Sequence, residues 1–133
     1  MQAKAEQKLR ALGVSMLVLF GSAATKAKKR EDIDVAVFLT DAMRPKTLSN
    51  FAPQSDITEA IADFLGEPYD TLDTVFIGPH TAPLLAFHIA RDGKLLFGSE
   101  QDFMRFRLRA IKVYQDTGKL REANREHLTN IYA

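Results

Sequence analysis

The chain of 133 residues contains no cysteine and carries no large excess of charge of either sign. Without cysteine it can form neither a disulfide nor a thiolate metal site, and this composition suits a reducing compartment, so we expect a cytoplasmic protein. The formal net charge is only +1, which gives no electrostatic reason to expect direct nucleic-acid binding. Hydrophobic residues make up 46% and charged residues 26% of the chain, which is typical of a single folded domain and excludes a disordered chain.

The sequence also lacks an apolar segment long enough to suggest a membrane span. The run at residues 14–20 has seven residues and contains Ser15, whereas a spanning helix needs about 20. Basic residues before this run give it some likeness to a signal peptide. Because the preceding segment reads as an amphipathic helix that ends at Gly13, we interpret the run as a core strand and expect no membrane association.

Hydrophobic periodicity predicts that helices and strands alternate along the chain. Three predicted helices cover residues 2–12, 55–65 and 81–91. A long helix is predicted to follow Ser99, which is its N-cap, and a last helix is predicted at 120–128. The predicted strands cover residues 15–20, 33–39, 71–77 and 94–97. Residues 21–31, with room for one helical turn, and 41–54 are predicted loops. The sum is one α/β (α+β) domain over residues 1–133, with a small mixed β-sheet flanked by helices, a core at about 14–98 and C-terminal helices at about 99–130.

The long helix after Ser99 carries two side-chain patterns. Its apolar residues predict a wide apolar face: Phe103, Met104, Phe106, Leu108, Ile111 and Val113. Charged residues at spacings of four, three and four predict a polar stripe: Arg105, Arg109, Lys112 and Asp116. A solvated surface is the simpler interpretation of this stripe, and a docking surface for a partner protein or RNA is the alternative.

Two aspartates, Asp32 and Asp34, stand one residue apart at the start of the second predicted strand. Since side chains alternate along a strand, both share one face with Ala36 and Phe38, opposite an apolar core face. Two carboxylates ~5 Å apart repel by roughly 3 kcal/mol at an effective dielectric constant of ~20. Charge balance by the basic residues at 28–30 is the simple explanation, and a bound metal ion is the functional one.

The dipeptide Gly21-Ser22 ends the preceding strand. Backbone N–H groups in such a small turn can approach phosphate oxygens, and a helix beginning at Ser22 would add its dipole. An antiparallel pairing of the two strands would bring this turn beside the aspartates. Mg²⁺ commonly bridges one or two carboxylates to substrate phosphates, so the arrangement predicts the two halves of a metal–nucleotide site.

A third carboxylate is expected from the strand at residues 71–77. Asp73 is a lone charge on the face shared by Val75 and Ile77, and a neighbouring strand could place it beside Asp32 and Asp34. There it could bind a metal ion and take a proton from an attacking hydroxyl. Asp70 is the competitor, but it lies before the strand and reads better as a turn residue.

Taken together, Gly21-Ser22, nine further residues, the pair Asp32 and Asp34, and the later Asp73 resemble the nucleotidyltransferase superfamily of DNA polymerase β. The small size is similar to its minimal members, the MNT antitoxins that are paired with HEPN-domain toxins. The resemblance covers residues 15 to about 100 and implies a single nucleotidyltransferase domain with a polymerase β-like fold. It implies that Gly21 and Ser22 hold a nucleoside triphosphate and that Asp32, Asp34 and Asp73 are catalytic and bind two Mg²⁺ ions.

The reaction that this resemblance implies is attack by a hydroxyl on the α-phosphate of ATP, with release of pyrophosphate. For an MNT antitoxin the acceptor would be a tyrosine of a partner HEPN RNase toxin. The alternative is a catalytically weak or inactive binding module that neutralises its partner by steric occlusion. A departure favours this alternative, since Ala24-Thr25-Lys26 stands where the family often has an arginine and a glycine. The residues that could compensate for them are Lys26, Lys28, Lys29 and Arg30.

Overall fold

A computed structural model of the chain describes residues 2–21, 32–40, 52–118 and 122. The helices in this part of the chain are α1 (Gln2–Ala11), α2 (Ala52–Leu65), α3 (Pro83–Asp92) and α4 (Glu100–Asp116). The strands are β1 (Val14–Phe20), β2 (Ile33–Leu39), β3 (Leu72–Ile77) and β4 (Lys94–Phe97), and a 3₁₀ turn, Tyr69–Thr71, precedes β3. None of these helices is long and apolar enough to cross a membrane.

The four strands form one mixed sheet in the order β3-β2-β1-β4, and a small mixed sheet is what the sequence predicted. β1 pairs antiparallel with β2 and with β4, while β2 pairs parallel with β3. A parallel pair needs a crossover connection, and α2 lies within the one that joins β2 to β3. As a result, residues that begin β2 and β3 lie side by side at the same end of the sheet.

Helices cover both faces of the sheet. On one face, α1 and α2 pack on the four apolar side chains of β2 that were predicted to face the core: Ile33, Val35, Val37 and Leu39. On the other face, Ala36 is fully buried together with Val18 of β1 and Ile89 of α3. Burying a side chain of the size of Val, Ile or Leu contributes about 1.5–3 kcal/mol, so both layers hold the strands in their register.

Two helices begin at different residues from those predicted. α2 begins at Ala52, so the prediction of a loop up to residue 54 was wrong at its end. Pro53 occupies the first turn of α2, where a backbone N–H has no helical partner and proline costs nothing. α3 begins at Pro83 instead of near residue 81, because the hydroxyl of Thr81 accepts a hydrogen bond from the Gly78 N–H at 2.9 Å and closes a turn there.

Helix α4 begins as predicted, with the Ser99 hydroxyl accepting a hydrogen bond from the Asp102 N–H at 3.0 Å. The sheet covers only part of the predicted wide apolar face. Phe103 and Phe106 pack on the sheet, whereas three of its members are exposed: Met104, Leu108 and Val113. These apolar residues occupy more of the helix circumference than a helix packed on one sheet can bury. The predicted last helix at 120–128 and most of the two predicted loops lie outside the described residues.

Candidate active site

Two of the predicted acids meet at one end of the sheet. Asp34 of β2 lies directly opposite Asp73 of β3 in the parallel register, with neighbouring strands ~4.8 Å apart. The two carboxyl groups are close enough to share a hydrogen bond when one of them is protonated. Asp34 is half-buried and Asp73 is exposed, so the pair opens to solvent.

The third predicted acid, Asp32, immediately precedes β2 and its side chain is exposed. Its negative charge adds to the repulsion felt by Asp34. The competitor, Asp70, lies in the 3₁₀ turn before β3 and has no place in the register opposite Asp34. The sheet therefore brings Asp73, and not Asp70, beside the aspartate pair.

Strand β1 delivers Gly21 to the same end of the sheet. Phe20 is the partner of Asp34 in the antiparallel register, and Gly21 follows it with a φ of 75°. A Cβ atom at this position would overlap the Asp34 carboxylate. The site thus requires glycine for two reasons, a left-handed backbone conformation and room for a carboxylate. Ser22 and the basic residues at 28–30, which were predicted to lie here, fall outside the described residues.

The environment of Asp34 disfavours its negative charge. Partial burial is the largest cause that raises the pKa of Asp34, followed by the charge of Asp73, the hydrogen bond with Asp73 and the charge of Asp32. In the part of the chain that the structure describes, no lysine or arginine forms an ion pair with any of these three acids. Within the described residues, the charge that collects at this edge therefore has no basic partner, which favours the binding of a cation.

The donor set fits a magnesium ion in its chemistry. Carboxylate oxygens are preferred ligands of Mg²⁺, which commonly uses one or two of them and completes its shell with water and phosphate oxygens. Within residues 2–21, 32–40, 52–118 and 122, no group of three or more acidic or histidine side chains is arranged to hold a metal ion. The acids accordingly form a facing pair, Asp34 and Asp73, with Asp32 as an exposed neighbour.

One contact between α2 and β3, next to Asp73, was not predicted from the sequence. Thr58 of α2 is buried, and its hydroxyl lies 3.3 Å from that of Thr74, the residue after Asp73. The same Thr58 hydroxyl donates a hydrogen bond to the Gln54 carbonyl at 2.9 Å. The one signal in the sequence was a threonine between apolar residues on the predicted core face of this helix.

Comparison with known families gives a match to one of them. The family described as Polymerase beta, Nucleotidyltransferase matches residues 4–102, which include the three acids and Gly21. This match confirms the resemblance that the glycine–serine turn and the three aspartates indicated.

Individual relatives agree with the family match. Protein adenylyltransferase MntA of Shewanella oneidensis is 29% identical over 111 residues, which cover 83% of this chain and 73% of the relative. A chain from a toxin–antitoxin crystal structure with AMP-PNP is 27% identical with a TM-score of 0.69, covering 96% of this chain and 98% of its own length. A chain from the complex of the tri-AMPylated Shewanella oneidensis HEPN toxin with its MNT antitoxin is 26% identical with a TM-score of 0.61, covering 97% and 99%. The expected fold is thus confirmed by solved structures.

Proposed function

Because the chain belongs to the polymerase beta nucleotidyltransferase family, we propose that it is a Mg²⁺-dependent protein adenylyltransferase. In this proposal it transfers AMP from ATP to a tyrosine of a partner HEPN toxin and thereby acts as an antitoxin. The observation that carries the proposal is the placement of Asp34 directly opposite Asp73, with Gly21 against the Asp34 carboxylate. The relative named as a protein adenylyltransferase and the neighbour from a complex with an AMPylated toxin support the choice of reaction and partner.

Each acid has a role that follows from its position. Asp34 and Asp73, with Asp32 beside them, would hold Mg²⁺, which when bound supplies positive charge for the triphosphate oxygens. Asp73 is the more exposed member of the facing pair, and it would accept the proton of the incoming hydroxyl. That hydroxyl oxygen forms the new bond to the α-phosphorus, the bond to the bridging oxygen breaks, and pyrophosphate leaves.

Gly21 positions the nucleotide in this proposal. Because it has no side chain, its own backbone lies close to the Asp34 carboxylate, and backbone N–H groups at this position would be able to bind phosphate oxygens. Gly21 and Ser22 would therefore hold the triphosphate with its α-phosphate near the acid pair. The resemblance to MNT antitoxins alone supports tyrosine as the acceptor and two as the number of ions.

A transfer assay tests the proposal. The purified chain is mixed with Mg²⁺, ATP labelled at the α-phosphate and a candidate HEPN partner protein. We expect the label on the partner, on a tyrosine identified by peptide mass spectrometry, and no label when EDTA replaces Mg²⁺. If the partner binds the wild-type chain but receives no label, the proposal is overturned.

A measurement without turnover tests the metal separately. Mg²⁺ that binds only the folded state raises the melting temperature, so we expect Mg²⁺ to stabilise the wild-type chain and not an Asp34→Asn/Asp73→Asn variant. Equal stabilisation of both proteins would place the ion elsewhere. This readout does not depend on the identity of the acceptor.

One observation favours a second candidate function, steric neutralisation without catalysis. The described residues contain no ready three-ligand metal group, and a site that no longer binds metal could persist in a pure binding module. The two functions differ in a toxicity assay. If an Asp32→Asn/Asp34→Asn variant protects cells from the partner as well as the wild type does, neutralisation does not require transfer.

A further inference from the structure

An apolar groove lies at the opposite end of the sheet from the acid pair. It has a volume of about 400 Å³, and its floor includes Phe38 of β2, Ile77 of β3 and Phe106 of α4. The rings of Phe38 and Phe106 meet edge to face with their centroids 4.7 Å apart. The floor of the groove is therefore apolar, and its two rings are packed together.

The groove is separate from the candidate active site. Phe38 and Ile77 lie four residues beyond Asp34 and Asp73, on the same face of the two strands, which is ~13 Å at about 3.3 Å per residue. Between the two ends, Ala36 is fully buried under α3. A molecule in the groove would therefore leave the acid pair open.

One wall of the groove is positively charged. Arg105 and Arg109 lie one turn apart on α4 and both line the groove. Arg105 lies 3.5 Å from Asp102 in an exposed ion pair, while Arg109 has no ion-pair partner among the residues that the structure describes. An apolar floor beside a guanidinium that has no acidic partner among the described residues is complementary to an apolar side chain with a carboxylate next to it.

Helix α4 exposes further apolar side chains outside the groove, beyond Arg105 and Arg109. Met104 and Leu108 lie one turn apart and are 51% and 63% exposed, and Val113 at the groove edge is 40% exposed. Five large hydrophobic side chains are exposed in the described part of the chain, and α4 carries three of them. A small molecule that filled the groove would leave Met104 and Leu108 in water, so a protein surface is the occupant that would cover the whole area.

We propose that this α4 patch, defined as Met104, Arg105, Leu108, Arg109 and Val113 with the adjoining groove, is the surface on which the HEPN partner docks. The partner would insert an apolar side chain that has an acidic residue beside it. This inference rests on the proposed function for the identity of the partner. Because docking occurs ~13 Å from the acid pair, the partner is held while a different part of it presents its hydroxyl to Asp34 and Asp73.

The test measures binding of the same candidate HEPN partner to this chain, by calorimetry. We expect Leu108→Asp and Arg109→Glu each to raise Kd by about tenfold or more, the effect of losing an interface anchor. Leu108→Met should bind as the wild type does, because it preserves the apolar contact. Lys8→Glu makes the same charge change as Arg109→Glu on the exposed surface of α1, on the other side of the sheet, and should leave Kd unchanged.

Two further readouts separate docking from folding and from chemistry. Because Leu108 and Arg109 are exposed, their variants should melt at the wild-type temperature by circular dichroism. In the transfer assay they should raise KM for the partner and leave kcat unchanged. The lost contacts hold the partner equally before and during the reaction, and the acid pair is intact. Arg109→Ala should also weaken the salt dependence of binding.

The outcomes distinguish this inference from the proposed function. If the α4 variants bind as tightly as the wild type, docking at this patch is wrong, whether or not label is transferred. If binding depends on the patch but the wild type transfers no AMP, docking stands and the proposed reaction fails. If the wild-type chain does not bind the HEPN protein, both are overturned.

Discussion

The two ends of the β2–β3 strand pair differ sharply, although they share one face of the sheet. At the starts of the strands, Asp34 and Asp73 lie opposite each other. Partial burial raises the pKa of Asp34 most, and repulsion from Asp73 raises it further. At the other end, Phe38 and Ile77 form the floor of an apolar groove. The comparison shows that one strand register can place charge at one end and an apolar site at the other, ~13 Å apart.

The helices explain why the ends differ. Ile89 of α3 packs on Ala36 in the middle of β2, and the acids lie beyond this covered region. A carboxylate under the helices would be desolvated at a high cost, so the charged residues stand where strands enter the sheet. Chemistry is therefore expected at the open end and recognition at the groove end.

The largest effect should come from changing the charged end while leaving the groove end intact. Asp73→Asn keeps the shape of the side chain but removes a proton acceptor and an ionic ligand, so we expect transfer to slow by roughly 10³-fold. Ile77→Val, at the other end of the same strand, should leave kcat unchanged and lower the free energy of unfolding by about 1 kcal/mol. Initial rates of label transfer at saturating partner, where weaker docking does not slow the reaction, and urea denaturation measure the two effects. Equal rate losses in the two variants would remove the distinction between the ends.

The next effect isolates the contact between Gly21 and Asp34. Gly21→Ala introduces a Cβ that overlaps the Asp34 carboxylate, in addition to backbone strain of about 1–2 kcal/mol at a positive φ. Gly66→Ala is the matched control, because Gly66 has a φ of 69° but open space where the alanine Cβ would lie. We expect both variants to lose stability in urea denaturation, and only Gly21→Ala to lose transfer activity as well. Full activity in Gly21→Ala would mean that the position of Asp34 does not depend on this glycine.

The smallest effect concerns the folding stability that is lost because the two carboxylates repel each other. Asp34→Asn should raise the free energy of unfolding at neutral pH by about 0.5 kcal/mol without Mg²⁺, a value limited by solvent screening because Asp34 is only partly buried and Asp73 is exposed. Since the pKa of Asp34 is raised in the folded state, protonation of Asp34 favours folding. The stabilising effect of the variant should therefore fade as the pH falls through that pKa.

Urea denaturation at neutral and acidic pH measures this effect, and added salt should reduce it because salt screens the repulsion. A gain that grows towards acidic pH would have the wrong sign for a repelled carboxylate. It would show that Asp34 is stabilised in its charged form by a cation.

Much of this arrangement could be predicted from the sequence, for local reasons. Along the whole of β2, side chains on the core face alternate with side chains on the face of Asp34. Its predicted bounds, 33–39, are those observed. The acids were detectable because a lone charge at the start of an apolar strand is unusual. Asp73 was preferred to Asp70 on its place in the strand, and the register agrees with that choice.

Other features depend on contacts between distant segments. The start of α2 was misplaced because Pro53 reads as a loop residue, although the first turn of a helix accepts it. The exposure of Met104 and Leu108 could not be read from periodicity, since α4 carries more apolar residues than one face of the sheet can cover. The groove has no motif at all, because its lining comes from several separate elements that only the fold brings together.

The proposed chemistry depends on Asp34 and Asp73 acting as one catalytic unit, and a double-mutant cycle on label transfer measures whether they do. Asp34→Asn, Asp73→Asn and the double variant are compared with the wild type at saturating ATP, Mg²⁺ and partner. If the two carboxylates work on the same step, the double variant should be about as slow as the slower single variant. If the losses of the single variants multiply in the double variant, the two acids act independently and the shared site is wrong.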